Sequence, residues 1–234
     1  MSEGTHIYQK EYAIIRPSVV KEITHASTVS NLAFRVGEEM RFSPEDCHDL
    51  AVAGFMHDIG KLELAKYVRG HENETLVIEE MKYVRRHSLL GAAILKEKGY
   101  SQKIVDMVKY HHENCDGSGY PMNLTQEDIP VGARVLRVCD VFAALTSDRT
   151  YRRAFDVNTA VELMIEECKN YDVEVFLAFM RVVHQPDLKE LLDTSDLEEK
   201  LTRYIIEDDR QMLLFDEYEP RDNRSEMEPL NLDS

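Results

Sequence analysis

Apolar residues recur at intervals of three and four along most of the chain, which is the pattern of helices that bury one face. In one segment, Val29, Leu32 and Val36 form such a stripe. Strict alternation of apolar and polar residues, typical of a half-buried strand, is not convincing anywhere in the sequence. The sequence therefore predicts an all-α fold. The predicted helices cover residues 16–40, 43–58, 87–99, 101–112, 131–148, 157–170 and 172–184.

Local signals indicate where these helices begin and end. Pro17 is expected near the start of the first helix, because proline is tolerated in the first helical turn. Ser43 followed by Pro44 is a typical start of the second helix, with Ser43 as the N-cap. Gly60 and Gly99 are expected to end the second and third helices, because glycine is favoured just after a helix C-terminus.

The composition changes after about Pro186, where acidic residues become frequent. Of the net charge of −16, a net of −10 falls within residues 185–234. We expect residues 1–184 to form one domain with its core from about residue 17, residues 185–215 a C-terminal helical extension, and residues 216–234 an acidic flexible tail. The acidic charge argues against binding to a nucleic-acid polymer.

Three further features bear on the cellular compartment. The four cysteines are scattered without a CxxC pair, as is typical of reduced thiols. No apolar run reaches the ~18 residues needed to span a bilayer. The start, MSEGTHIYQK, lacks the basic and apolar regions of a signal peptide. These features predict a cytoplasmic protein without a membrane partner.

Several ionisable residues lie near predicted helix ends or on faces that are otherwise apolar. His25 continues the stripe of Val29 and Leu32, and Asp140 is in register with Leu136. A carboxylate or imidazole on such a face needs a partner, because burying an unpaired polar group costs free energy. The residues concerned are His25, His57, Asp58, His87, His111, His112 and Asp140.

Each of these residues alone has an ordinary structural explanation. A single inward histidine is usually hydrogen-bonded to a carbonyl, and Asp140 could pair with Arg134 or Arg137. Together, however, imidazole and carboxylate groups without thiolates suit divalent ions such as Fe, Mn, Zn or Mg. The set is larger than one tetrahedral ion needs and suits two ions that share a carboxylate. The remaining histidines are not assigned to this set: His48 and His71 are expected on the surface, and His6 and His184 give no signal.

A second group of residues concerns a ligand. Lys61 follows the His-Asp pair by one tight turn, and Arg149 and Arg152 come about two and three turns after Asp140. On a solvated face these cations would only balance the acidic charge of the chain. Beside two metal ions they would hold phosphate groups.

The motifs resemble those of the HD-GYP domains, a branch of the HD metal-dependent phosphohydrolases. The matching segments are HDIGK (57–61), HSLLGAAIL (87–95), HHENCDGSGYP (111–121), EDIPVGARVLRVCD (127–140) and VFAALTSDRTYRRA (141–154). They extend in order through roughly residues 17–184, and the HHE…DGSGYP stretch is highly specific. The resemblance implies an HD-type helical bundle, with residues 1–184 as the catalytic domain.

In this family the domain hydrolyses cyclic di-GMP to pGpG and often to GMP, some members act on the mixed cyclic GMP-AMP, and iron or manganese usually fills the site. The resemblance implies that the residues near helix ends and on apolar faces are metal ligands, with Asp58 bridging two ions. The metal ligands would be His25, His57, Asp58, His87, His111, His112 and Asp140. Asp58 and Lys61 would be catalytic, while Lys61, Tyr120, Arg149 and Arg152 would contact the substrate and Glu113 and Asp116 would shape the loop over residues 113–130. Tyr120 is expected at the exposed tip of that loop.

The chain departs from the family pattern in ways that bear on the metals and the substrate. Some members have a glutamate four residues before the first histidine that holds a third ion, and here that position is Lys21. We therefore predict two ions, iron first and manganese next, with zinc and magnesium as further candidates. The segment 62–84 lacks the usual Pro-Gly turn. Ser88, Ala143 and Thr150 stand where proline, aspartate and proline are common.

The leading functional hypothesis is a cyclic di-GMP phosphodiesterase in which a hydroxide bridging the two ions attacks the phosphorus in line. One alternative is a non-catalytic module that senses a cyclic dinucleotide or metal. Another is an HD phosphohydrolase that acts on a different nucleotide. The expected ligand is a cyclic dinucleotide, and a second copy of the chain or a signalling protein are the candidate protein partners.

Overall fold

The computed structural model describes residues 4–61, 85–148 and 153–203, and it describes side chains from residue 19 onward. Helices dominate these ranges, and they contain no β-strand beyond an isolated bridge between Asp116 and Thr125. The predicted all-α fold is thus confirmed. The helices are α1 (Gly4–Glu39), α2 (Pro44–Met56), α3 (His87–Glu97), α4 (Gln102–Tyr110), α5 (Val131–Leu145), α6 (Val157–Glu166), α7 (Val173–Val183) and α8 (Leu188–Leu192), with a 3₁₀ turn at Cys168–Asn170.

The first two helices differ from the predictions at one end each. Helix α1 begins at Gly4, so the prediction that Pro17 lies near its start is wrong. A proline inside a helix removes one backbone hydrogen bond, and α1 continues through Pro17 despite that loss. Ser43 caps α2 as predicted, since its side chain accepts a hydrogen bond from the Asp46 backbone amide. Helix α2 ends at Met56, ahead of Gly60, because His57 already acts as its C-cap.

Helix α1 lies at the centre of the bundle and contacts α2, α5, α7 and α8. Its buried residues Val29, Leu32 and Val36 belong to the main hydrophobic core, as the apolar stripe predicted. Helices α1 and α2 approach closely at Gly54, where an added Cβ atom would lie 3.0 Å from the Ser30 Cα atom. The Ser30 hydroxyl donates a hydrogen bond to the Ala51 carbonyl at 2.8 Å across the same contact.

The other helices complete the frame around the end of α2. Helix α3 packs on α4, and α4 packs on α2 and α5. Ser101 caps α4, and Asp172 caps α7 by accepting hydrogen bonds from the Glu174 and Val175 amides. Residues near the ends of α2, α3 and α4 are thereby brought against the middle of α1 and α5.

Candidate metal centre

The seven histidines and aspartates singled out in the sequence come from five different places in the chain. One lies within α1, two follow α2, one begins α3, two follow α4, and one lies on α5. The structure brings all of them together into neighbouring groups of candidate ligand atoms, each group lying within 4.8 Å. The groups are Asp58, His87, His111 and His112; His25, His57 and Asp58; and His57, His111 and Asp140.

On one side of the cluster, His87 is the central imidazole. Its Nε2 atom lies 3.3 Å from Nε2 of His111, 3.1 Å from Nε2 of His112 and 3.2 Å from Oδ1 of Asp58. Ligands bound at about 2.0–2.1 Å to one ion lie roughly 3.0–3.4 Å from each other. These separations therefore match the spacing of ligands around a single metal ion.

On the other side, two further histidines face the two carboxylates. His25 Nε2 lies 3.1 Å from Oδ1 of Asp140, and His57 Nε2 lies 3.1 Å from Oδ2 of Asp58. His57 Nε2 is also 3.6 Å from Oδ1 of Asp140. The two oxygens of Asp58 thus face different histidines, His87 through Oδ1 and His57 through Oδ2. A carboxylate in this position can bridge two ions.

Backbone carbonyls at the ends of α2 and α4 orient two of the rings. His57 Nδ1 lies 2.7 Å from the Gly54 carbonyl oxygen, and His111 Nδ1 lies 2.7 Å from the Val108 carbonyl oxygen. Because a carbonyl only accepts, Nδ1 must carry the proton and Nε2 is left to face the cluster. Nε2 of His57 and Oδ1 of Asp58 are buried and form no well-aligned hydrogen bond, although each has an oppositely chargeable group within 3.2 Å, so both atoms could serve a metal ion.

The electrostatics also favour positive charge at the centre. Burial opposes a charge on His57, but the Asp58 and Asp140 carboxylates outweigh it and raise the pKa of His57 to about 10. Burial lowers the pKa of His111 well below its usual range and that of His112 to about 3. The rings of His111 and His112 are therefore neutral at pH 7 and able to donate lone pairs. The described part of the chain thus holds a His/Asp cluster that can bind metal.

The ordinary explanation for Asp140 is not supported by its contacts. Arg134 pairs with Asp172, and the Arg137 Nε–H donates to the Asn114 side-chain oxygen at 2.9 Å. Neither arginine therefore forms the ion pair with Asp140 that the sequence analysis considered. Burial opposes ionisation of this carboxyl, but the hydrogen bonds to His25 and His57 hold its pKa well below the usual range.

The loop after α4 is organised around a buried carboxylate. Glu113 is 2% exposed, and its two oxygens accept hydrogen bonds from the Met122 and Leu124 amides at 2.6 and 3.0 Å. Asp116 accepts from the Ser118 amide at 2.9 Å, in the shaping role expected for both acidic residues. Gly119 has no room for a side chain, since an added Cβ atom would overlap with the Glu113 backbone.

Tyr120 lies beside the cluster rather than at an exposed tip, so that expectation is wrong. It is half-buried, and its ring stacks on His112 with centroids 4.6 Å apart and planes 28° apart. The loop folds back because the Tyr120 amide donates a hydrogen bond to the His112 carbonyl. Burial, with the nearby Asp140 charge, raises the pKa of the Tyr120 hydroxyl. The Tyr120–Pro121 peptide bond is cis.

Among the predicted substrate contacts, Lys61 lies at the cluster and the two arginines fall outside the described residues. Lys61 Nζ is 2.6 Å from Oδ2 of Asp58 and 3.9 Å from Oε2 of Glu22. Burial lowers the pKa of Lys61, but the two carboxylates outweigh it and raise the pKa, so the ammonium is charged. Arg149, Arg152 and Thr150 are outside the described ranges, as are segment 62–84 and the acidic tail.

Several residues were left out of the predicted ligand set. Those that the structure describes lie outside the cluster. Lys21 is exposed on α1, and His48 is exposed on α2 as predicted. His184 Nδ1 contacts the Met180 carbonyl, away from the other histidines. Ser88 and Ala143 are buried. His71 lies outside the described residues.

Sequence reasoning missed two residues beside the centre. Arg85 lies with its guanidinium carbon 5.4 Å from the centroid of the Tyr120 ring. An arginine two residues before a histidine carries no signal in the sequence, since the contact depends on how the loop after α4 folds back. Glu22, near Lys61, was likewise not singled out.

The geometry agrees with the family comparison. A family model described as HD domain matches residues 10–175. The chain belongs to the HD domain family. The resemblance to HD phosphohydrolases drawn from the motifs is thereby confirmed.

The HD protein has curated relatives whose names describe cyclic-dinucleotide hydrolysis. It is 33% identical over 174 residues to "Cyclic di-GMP phosphodiesterase PA4108" of Pseudomonas aeruginosa, covering 73% of this chain and 42% of that protein. It is 31% identical over 159 residues to "3'3'-cGAMP-specific phosphodiesterase 1" of Vibrio cholerae, covering 67% of this chain and 37% of that protein. The chain thus spans less than half the length of these two relatives.

Solved structures share the fold of this HD protein. A cyclic GMP-AMP specific phosphodiesterase from V. cholerae (V-cGAP3) aligns with a TM-score of 0.59 at 15% identity, over 78% of this chain and 50% of that one. Bd1817, an HDGYP protein from Bdellovibrio bacteriovorus, aligns with a TM-score of 0.55 at 17% identity, over 69% of this chain and 52% of that one. At these identities the likeness concerns the fold alone. Within the described ranges, no helix combines the length and apolar character required to cross a bilayer.

Proposed function

We propose that the protein is a metal-dependent phosphodiesterase that hydrolyses cyclic di-GMP to pGpG, with GMP as a further product. The observation that carries the proposal is the division of the buried His/Asp cluster into two sides that meet at Asp58. A centre of this kind is the arrangement used for phosphoester hydrolysis. The names of the relatives favour a cyclic dinucleotide as the phosphoester.

Two divalent ions fit the donor set. His87, His111 and His112 would hold one ion, His25, His57 and Asp140 the other, and Asp58 would serve both. Iron is the first candidate and manganese the next, because neutral imidazoles with carboxylates and no thiolate suit these borderline ions. When bound, the ions supply an activated water and neutralise charge on the phosphate.

The residues of the chain have distinct parts in this proposal. Asp58 positions both sides of the centre and is itself oriented by the Lys61 ammonium at 2.6 Å. Lys61 thereby also presents a positive charge at the edge of the centre, where a phosphate oxygen gains negative charge during the reaction. Tyr120 offers an aromatic surface against which a base or sugar can pack. Arg149 and Arg152 remain predicted phosphate contacts.

The test is a substrate panel on protein loaded with Fe²⁺ or Mn²⁺. We expect cyclic di-GMP to be converted to pGpG with a kcat/KM far above that for bis(4-nitrophenyl) phosphate, with products separated by chromatography. Asp58→Asn should abolish both activities, because the amide is a poor bridging ligand. Equal rates on the cyclic dinucleotide and the aryl diester would contradict the substrate assignment. Binding without any turnover would instead indicate a sensing module.

Hydrolysis of 3'3'-cyclic GMP-AMP is the second candidate function, favoured by the relative of that name at 31% identity. The same panel decides between the two dinucleotides. A kcat/KM for cyclic GMP-AMP at least about tenfold above that for cyclic di-GMP would assign the mixed dinucleotide. Preference for a non-cyclic nucleotide would point to the third hypothesis, a phosphohydrolase of another substrate class.

A further inference from the structure

Arg85 contacts the ring of Tyr120, which packs against His112 of the candidate metal centre. Its guanidinium carbon is 5.4 Å from the centroid of the Tyr120 ring, and the same ring stacks on His112. The Tyr120 ring is thus in contact with both His112 and Arg85. A guanidinium over an aromatic face is held by cation–π attraction while its N–H groups stay available at the edge.

The charge of Arg85 is not offset by a carboxylate within the described residues, where its partner is the Tyr120 ring. Other cations of this region are differently placed. Lys61 pairs with Asp58, Arg134 pairs with Asp172, and the Arg137 Nε–H donates to the Asn114 side-chain oxygen. Arg85 therefore offers an exposed positive charge beside the Tyr120 ring, which itself packs against His112 of the cluster.

The position of Arg85 in the chain also relates its charge to the centre. Arg85 precedes α3 by two residues, and His87, the first residue of α3, lies within the cluster. Among the described contacts, Arg85 meets the Tyr120 ring and none of the seven His and Asp side chains, so a ligand group that it binds would lie past Tyr120 and not on the centre itself. The guanidinium faces whatever part of a ligand extends past Tyr120. A cyclic dinucleotide has a second phosphodiester, which places a second negative charge at a distance from the first.

We propose that Arg85, held over Tyr120, binds the second phosphodiester of a cyclic dinucleotide whose first phosphodiester lies at the metal centre. The inference rests on the proposed function and adds a binding residue to it. Arg85 would select for ligands with two phosphates over diesters with one. A charged hydrogen bond of this kind changes binding by about 10- to 100-fold.

The experiment compares Arg85→Gln with the wild type on two substrates. The measured quantity is the ratio of kcat/KM for cyclic di-GMP to kcat/KM for bis(4-nitrophenyl) phosphate, which has a single phosphate. We expect this ratio to fall about 10- to 100-fold, mainly through KM for the cyclic dinucleotide. Arg85→Lys should recover part of the ratio, since it keeps the charge but loses the planar stack. Arg86→Gln is the matched control, because Arg86 is an exposed neighbour of the same charge.

The outcomes separate this inference from the proposed function. A wild-type protein that cleaves only the aryl diester would overturn the proposed function itself. An active wild type with the same ratio in Arg85→Gln would overturn the role of Arg85 alone. A loss confined to cyclic di-GMP, with cyclic GMP-AMP unaffected, would show a contact to a guanine base in place of the phosphate. No recovery in Arg85→Lys, together with equal losses on both substrates, would reduce Arg85 to a support for Tyr120.

Discussion

Gly60 lies directly against the backbone carbonyl of His87, so closely that a Cβ atom on Gly60 would overlap with that carbonyl. The same added atom would stand 2.7 Å from the Gly91 amide nitrogen. This contact joins the turn that carries His57 and Asp58 to the start of α3. A side chain at position 60 would therefore separate candidate ligands on the two sides of Asp58.

We expect Gly60→Ala to lower the free energy of unfolding by about 2–4 kcal/mol and to reduce bound metal, because backbone atoms on both sides would have to move. Thermal denaturation and elemental analysis measure the two effects. Gly99→Ala is the matched control: it has φ +80° with open space around it. That change should cost about 1 kcal/mol and keep the metal. Equal metal loss in both variants would contradict the role of the Gly60 contact.

His57→Ala should remove metal and activity together. The imidazole is buried, and its Nε2 atom faces both carboxylates, so no other side chain can take its place. We expect a loss of at least about tenfold in metal affinity. His48→Ala, an exposed histidine of the same helix region, should bind metal like the wild type. Metal content measured after purification without chelator compares the two, and full occupancy in His57→Ala would exclude it as a ligand.

Metal uptake should weaken as the pH falls. Burial alone would lower the pKa of His57, but Asp58 and Asp140 raise it to about 10, so in the metal-free protein this ring carries an extra proton at pH 7. A metal ion must displace that proton. The apparent affinity for Mn²⁺ should therefore decrease about tenfold for each pH unit below ~9. Titrations at several pH values test this, and an affinity independent of pH between 6.5 and 8.5 would contradict it.

Glu113→Gln should disturb the loop that carries Tyr120. The glutamine side chain has one acceptor oxygen, so one of the Met122 and Leu124 amides loses its partner. An unsatisfied buried amide costs about 1–3 kcal/mol, which should appear as lower thermal stability and a higher KM for the cyclic dinucleotide. Glu127→Gln alters an exposed carboxylate of the same loop and serves as the control. Equal KM values in both variants would exclude a special role for Glu113.

The sequence allowed the helices and the grouping of the seven candidate ligands to be predicted, because helical periodicity shows which side chains point inward. His25 and Asp140, for example, share faces with core residues of α1 and α5. Features that depend on contacts between distant segments were not predictable. The end of α2 at Met56 follows from the His57–Gly54 contact, and the position of Tyr120 follows from the loop folding back on His112. Arg85 was missed for the same reason.

The buried Glu113 carboxylate has a consequence for the kinetics of ligand capture. Its hydrogen bonds to the Met122 and Leu124 amides are made within the protein and need no ligand, so they can form when the chain folds. The loop thus loses its conformational entropy when the protein folds, and binding does not have to order these residues again. Association then requires no slow rearrangement of this loop, so the rate of ligand capture is set by diffusion and by the charges around the site.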